Sequence, residues 1–142
     1  MSPIQDWYEV VETHNMRKLD FLLDDNVVFY SPIVFSPQRG KEVTKTYLIA
    51  ASKVLDQKKS LRYVKEFISG YSAVLEFETE VDGVYINGID LISWNKKGKI
   101  TEFKVMVRPV RAINKLQEKM KRLLIVKKLS YFNWLNKFLL RK

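Results

Sequence analysis

Asp90 is the residue whose setting is most unusual for its type. It stands in Val84-Tyr-Ile-Asn-Gly-Ile-Asp-Leu-Ile-Ser-Trp-Asn95, an alternating run that places a carboxyl among side chains meant for a core. Burial disfavours the ionised form of a carboxyl, so one held there can act as a neutral donor, a general acid or base, or an anchor for a ligand's polar atom. The plain alternative is a structural aspartate bonded to a turn or a tyrosine. His14, the one histidine, falls with Ile4, Trp7 and Val11 on a helical stripe at i, i+3, i+7 and i+10. Facing Asp90 it would make an acid–base couple; otherwise it is a core histidine. Tyr30, Tyr47 and Tyr63 carry hydroxyls that could meet a ligand, although aromatics on apolar faces more often pack. Glu76, Glu78 and Glu80 lie opposite Leu75, Phe77, Thr79 and Val81, and so read as a solvated face or part of a dimer surface, not a metal site. With a single histidine and no nucleophile elbow, no Ser-His-Asp arrangement can be argued. Nothing in the chain calls for a cofactor or a metal.

The elements that must position these groups follow from pattern. Ser2-Pro3 opens a helix carrying the Ile4–His14 stripe. Leu19, Leu22 and Leu23 mark a second short helix that Asp24-Asp25-Asn26 should end, and Val27–Tyr30 is a strand stopped by Ser31-Pro32. Val43, Tyr47, Ala51 and Val54 mark a helix ending near Leu55. Strands are expected at 61–68, 73–81, 85–95 and 100–107, with Ser69-Gly70, Asp82-Gly83 and Lys97-Gly98 as turns and Gly88 as a turn or bulge glycine. Helices followed by strands indicate an α+β domain with helices on one face of a curved sheet.

The chain has 142 residues, 46% hydrophobic and 29% charged, one domain's worth of ordinary globular sequence. It has no cysteine, hence no disulfide framework and no thiolate chemistry, which fits a cytoplasmic location. The acidic N-terminus is no secretory signal, and no transmembrane span is visible. Residues 115–142 hold nine Lys/Arg against Glu118 alone, whereas residues 1–114 hold sixteen against fifteen acids, so the net charge of +9 belongs almost wholly to the tail. A basic tail on a neutral domain argues against a nucleic-acid-binding domain. We divide the chain into a domain over 1–112 and a basic amphipathic helical extension over 113–142. In the extension Tyr131, Trp134, Leu135 and Phe138 form one stripe. Such a helix suits peripheral docking on an anionic membrane, or packing on the domain or a second protomer.

The order Leu-Leu-Asp-Asp-Asn (22–26), Phe-Tyr-Ser-Pro (29–32), Pro-Gln-Arg-Gly (37–40) and Gly-Ile-Asp-Leu-Ile-Ser-Trp-Asn-Lys-Lys-Gly-Lys-Ile (88–100) resembles the nuclear transport factor 2-like superfamily. The chain is most similar there to SnoaL-like proteins and ketosteroid isomerases, over roughly residues 4–112. The resemblance implies a cone: a strongly curved antiparallel sheet with N-terminal helices closing a deep apolar pocket, usually dimeric through the sheet. It implies inward positions at Trp7, Val11, His14, Tyr47, Leu75, Phe77, Asp90, Ile92, Phe103, Val105 and Val107. Asp90 matches the ketosteroid isomerase aspartate that stays protonated and donates to the substrate oxyanion. That enzyme's general base, however, falls at Ser31 and its oxyanion tyrosine near Trp7, so its own reaction is not expected here.

Two functions follow as expectations. The first is a pocket for a hydrophobic small molecule, polarised by Asp90 and His14, with Trp7, Val11, Tyr30, Tyr47, Leu75, Phe77, Ile92, Phe103, Val105 and Val107 as its walls. It either binds only or performs cofactor-free isomerase, cyclase, lyase or epoxide-opening chemistry. The second is a homodimeric interaction module whose basic tail docks on a membrane or a partner protein.

Overall fold

The computed structural model describes the backbone of residues 2–139 and the side chains of residues 2–125. Helix α1 (Ile4–Thr13) starts where the Ser2 hydroxyl accepts from the Ile4 amide, and it ends at His14 in the left-handed conformation, φ 56°. Its buried face is Ile4, Trp7 and Val10, with Val11 half-buried. The expected stripe therefore holds for Ile4, Trp7 and Val11, which packs on the core from its half-buried position, and fails at His14. The helix stops one residue before His14, whose reversed backbone carries the imidazole off the apolar face.

A 3-10 turn (Met16–Lys18) leads into the short helix α2 (Leu19–Leu22) and directly into strand β1 (Leu23–Tyr30). Asp24-Asp25-Asn26 thus belong to the strand and do not merely end a helix. The Asp24 carboxylate accepts from the Asn26 amide and from the Asn95 side chain, inside the irregular stretch between Leu23 and Val28. Polar residues here make a bulge, not a break. After β2 (Gln38–Arg39) come α3 (Lys41–Leu55), β3 (Arg62–Ser69), β4 (Ser72–Val81), β5 (Val84–Trp94), β6 (Ile100–Arg108) and α4 (Val110–Leu139).

The six strands form one sheet in the order β2-β1-β6-β5-β4-β3. The pairs β3–β4, β4–β5 and β5–β6 are antiparallel hairpin neighbours, whereas β1 and β6 run parallel. No hairpin sets the direction of β1 against β6, because α3 and four strands intervene. Breaks in register at Tyr63–Lys65 and Ser93–Trp94 bend the sheet. Along β5 burial alternates strictly, with Val84, Ile86, Gly88, Asp90, Ile92 and Trp94 inward. Along β4 the glutamates face out as expected, while Leu75, Phe77, Thr79 and Val81 face in.

Gly88 is not at a turn. It sits mid-strand opposite Phe77 and Val107, and a Cβ there would stand 2.5 Å from the Phe77 ring and 2.6 Å from the Met106 carbonyl oxygen. Only a residue without a side chain lets the Phe77 ring lie over β5.

Helix α4 starts inside the domain. Ala112, Leu116 and Met120 are buried against Ala50, Val54 and Leu55 of α3 and against Phe77, Val81, Val84 and Ile86 of the sheet. Lys119 bonds Asp82 at 2.6 Å and clamps the β4–β5 turn to the helix. A boundary at 112 therefore cuts through a packed helix, because the 3–4 spacing of Ala112, Leu116 and Met120 buries one face of it. The Tyr131, Trp134, Leu135 and Phe138 stripe lies outside the described side chains. Among the described residues no helix is long and apolar enough to cross a membrane.

Candidate functional site

The core has two halves. One gathers α1, α2, β1 and the inner ends of β4–β6; the other gathers α3, α4 and the outer ends of β4 and β5. Tyr47, Tyr63 and Val105 pack against both. A cavity with about 70 Å³ of free space opens at this junction, several times the ~10–15 Å³ that admits one water. Trp7, Val10 and Val11 of α1, Phe29 of β1, Tyr47, Leu48, Ala51 and Ser52 of α3, and Phe77, Phe103 and Val105 of the sheet line it. Leu116 and Met120 of α4 close one side. The wall is apolar nearly throughout, which makes its few polar groups the chemically informative ones.

Asp90 is the charged residue in that wall, 5% exposed. The Tyr63 hydroxyl donates to its Oδ2 at 2.5 Å, and the Trp7 indole N–H donates to the same tyrosine oxygen at 2.9 Å. Among the described residues Oδ1 of Asp90 takes part in no hydrogen bond. Burial pushes the Asp90 carboxyl up from 3.8 to about 7, with the Tyr63 hydrogen bond pulling the other way. Tyr63 is held well above the usual phenol range, by burial first and then by the negative charge of Asp90. A protonated Asp90 thus accepts from Tyr63 on one oxygen and has an O–H to offer the cavity on the other. Beyond Tyr63, the Tyr8 ring tilts on the Tyr63 ring with centroids 5.2 Å apart, and the Tyr8 hydroxyl donates to Glu66 at the surface.

Of the residues expected to line the pocket, Trp7, Val11, Tyr47, Phe77, Phe103, Val105 and Asp90 do so. Leu75 and Ile92 face inward but are wholly enclosed among core side chains, since α1 and α2 cover their end of the sheet. Facing the core is necessary for lining a cavity but not sufficient. Val107 packs against the α3–α4 half of the core without reaching the void. Tyr30 lies outside the cavity, with the Lys104 ammonium 4.6 Å from its ring centroid.

His14 does not meet Asp90. Its side chain is 41% exposed, its Nε2 lies 3.0 Å from Asp56 Oδ2, and its Nδ1 lies 3.3 Å from the Ser52 hydroxyl. The expected Asp90–His14 couple fails because the helix ends before the histidine.

The sequence left Tyr63 between a ligand-facing hydroxyl and wall packing, and allowed Asp90 a tyrosine partner without saying which; the structure makes Tyr63 that partner. Its placement depends on the register Tyr63–Phe77 and Phe77–Gly88, two residues along β5 from Asp90. Leu116 and Met120 were assigned to a separate extension, and their 3–4 spacing on from Ala112 was the available signal. Ser31 lines the cavity, but its hydroxyl accepts from the Ile33 amide at 3.1 Å and stabilises a turn. Trp7 holds the place expected for a tyrosine, and the phenol beside Asp90 comes from β3 instead.

No protein-family model matches the chain, and no curated protein matches it at a significant level. Solved structures do. A steroid delta-isomerase from Pseudomonas aeruginosa superposes with TM-score 0.83 at 30% identity, covering 89% of this chain and 91% of that one. A nuclear transport factor 2-like protein from Cytophaga hutchinsonii gives TM-score 0.58 at 21% identity, covering 76% and 88%. An epoxide hydrolase/cyclase-like enzyme of pyran-ring formation in the polyether salinomycin gives TM-score 0.62 at 12% identity, covering 75% and 88%. The latter two share the fold, and the first shares sequence over nearly its whole length. With its helices packed on a bent six-stranded sheet, the chain belongs to the nuclear transport factor 2-like superfamily.

Proposed function

We propose that the cavity binds a compact apolar molecule carrying one carbonyl or hydroxyl group, and that protonated Asp90 donates to that oxygen. The observation that carries this reading is a carboxyl buried in an apolar wall with one oxygen bonded to Tyr63 and the other left for a ligand. For a ketone with an acidic neighbouring C–H, the same donor stabilises the enolate oxygen and supports cofactor-free isomerisation or cyclisation. Similarity to a protein named as a steroid delta-isomerase favours this class of chemistry. Ser31 at the expected base position and Trp7 in place of the tyrosine separate the site from the ketosteroid isomerase pattern. Met16 and Met120 line the cavity and can re-pack around a ligand wider than the void.

Native mass spectrometry and thermal shift with 2-tetralone, on wild type, Asp90→Asn and Asp90→Leu, test this. Wild type should bind best below pH 7 and lose affinity above it, as Asp90 ionises and repels the carbonyl oxygen. Asp90→Asn keeps a donor and should bind with a flat pH profile, and Asp90→Leu should lose most of the affinity. Equal binding by all three proteins at every pH would remove Asp90 from the site.

A second reading, a homodimeric module, rests on the outer face of the sheet. Phe67, Val74 and Leu91 lie side by side across β3, β4 and β5, next to Ile89 and Met106. Phe67 is 64% exposed and Met106 46%. We propose that a second copy covers this face; sedimentation should give a dimer for wild type and a monomer for Met106→Glu.

A further inference from the structure

His14, the histidine that misses Asp90, instead joins a serine and an aspartate, a Ser-His-Asp arrangement that the order of residues gave no ground to expect. Asp56 Oδ2 is 3.0 Å from its Nε2, and the Ser52 hydroxyl is 3.3 Å from its Nδ1. Ser52, one turn before Asp56 on α3, lines the same cavity as Asp90. The Asp56 side chain is only 9% exposed; its Oδ1 accepts from the Leu61 amide at 3.2 Å, and His14 is its ion-pair partner among the described residues. A carboxylate fixed in that way holds the ring proton on Nε2 and leaves Nδ1 bare. Bare Nδ1 then accepts from the Ser52 O–H, and the lone pairs of Ser52 Oγ are left for the cavity. His14 reaches this position only through its left-handed backbone, a conformation more accessible to His, Asn and Asp than to most residues with side chains.

We propose that Ser52, His14 and Asp56 form a proton relay ending in the cavity, the second acid–base group of a site whose first is Asp90. This rests on the pocket reading above and supplies what that reading lacks, a base. In the forward step the C–H bond next to the ligand's carbonyl breaks and its proton goes to Ser52 Oγ. The Ser52 proton moves at the same time to His14 Nδ1, and the electron pair of the C–H bond moves onto the carbonyl oxygen, where Asp90 donates. The imidazolium so formed is balanced by Asp56, and its exposed edge exchanges protons with water. Reversal at the same carbon, or at the γ-carbon where a conjugated double bond extends the enolate, returns the proton. No metal, cofactor or oxidant takes part in this sequence. Ser52 is the catalytic residue; His14 and Asp56 act through it.

The test is hydrogen–deuterium exchange at the α-carbons of 2-tetralone in D2O, followed by proton NMR, on wild type, Ser52→Ala and His14→Asn. Ala suits a helix interior, so Ser52→Ala should melt near the wild-type temperature; Asn tolerates the left-handed backbone but withdraws the ion-pair partner of Asp56, so His14→Asn should melt lower while remaining folded. Native mass spectrometry should show the ketone bound by all three, with exchange at least tenfold faster for wild type than for either variant. Because the chain has one histidine, nitrogen NMR of its ring reads the tautomer directly, and the proton should sit on Nε2 in wild type but be shared between both nitrogens in Asp56→Asn. Binding by all three with equal exchange rates would overturn the relay and leave the pocket reading standing. A ketone that binds none of them would overturn both.

Discussion

The Tyr63 hydroxyl stands 2.5 Å from Asp90 Oδ2 while the Trp7 indole donates to that same hydroxyl. Two residues, Trp7 of α1 and Tyr63 of β3, thus hold the one carboxyl of β5 in place, and its other oxygen is left for the cavity. Most of the behaviour expected of the site follows from this contact.

Asp90 should make stability depend on pH in a particular direction. Its carboxyl is raised from 3.8 to about 7 in the folded protein. Between those values the native state holds a proton that the unfolded chain has released, so stability falls as pH rises from 4 to 7 and levels off above. Three units of separation correspond to roughly 4 kcal/mol. Urea melts across pH 4–8 should show this fall in wild type and not in Asp90→Asn, which should equal or exceed wild-type stability at pH 8. Parallel pH curves for the two proteins would mean that Asp90 is not raised.

Tyr63→Phe removes the group that favours ionised Asp90. The Asp90 carboxyl should therefore move further up, above 7, and the Trp7 N–H loses its acceptor. Carbon NMR titration of the Asp90 carboxyl measures the first effect directly. A midpoint that falls in the variant would contradict the arrangement.

Gly88→Ala tests how closely the walls approach. A methyl group would meet the Phe77 ring and, less avoidably, the Met106 carbonyl. Overpacking against backbone should cost about 1–3 kcal/mol in a chemical melt and weaken ligand binding by displacing Phe77. A neutral result would show that β5 and β6 separate easily.

Leu116 belongs to the pocket wall and to the core. Leu116→Ala should cost about 2–5 kcal/mol, and a chain ending at Ala112 should unfold or melt far below the full protein. Survival of a folded, ligand-binding 1–112 fragment would instead make α4 an appendage.

How the chain reveals itself depends on the range of the interaction concerned. Alternation along β4 and β5 and the 3–4 spacing of α3 are local, so the strands, the helices and the inward direction of Asp90, Phe77 and Leu75 were all readable from the order of residues. Side-chain type alone also marked Asp90 as a carboxyl out of place. The partners were not readable, because hydrogen bonds such as Tyr63 to Asp90 and Ser52 to His14 join residues 27 and 38 positions apart. A bulge at Tyr63–Lys65 and the end of α1 at Thr13 decide them. A shift of one residue in either would turn Tyr63 to the outer face or return His14 to the apolar stripe. Periodicity tells which way a side chain faces. Only the packed helices and the register of the bent sheet decide what it meets there, and that is what divides Leu75, sealed in the core, from Asp90, open to the cavity.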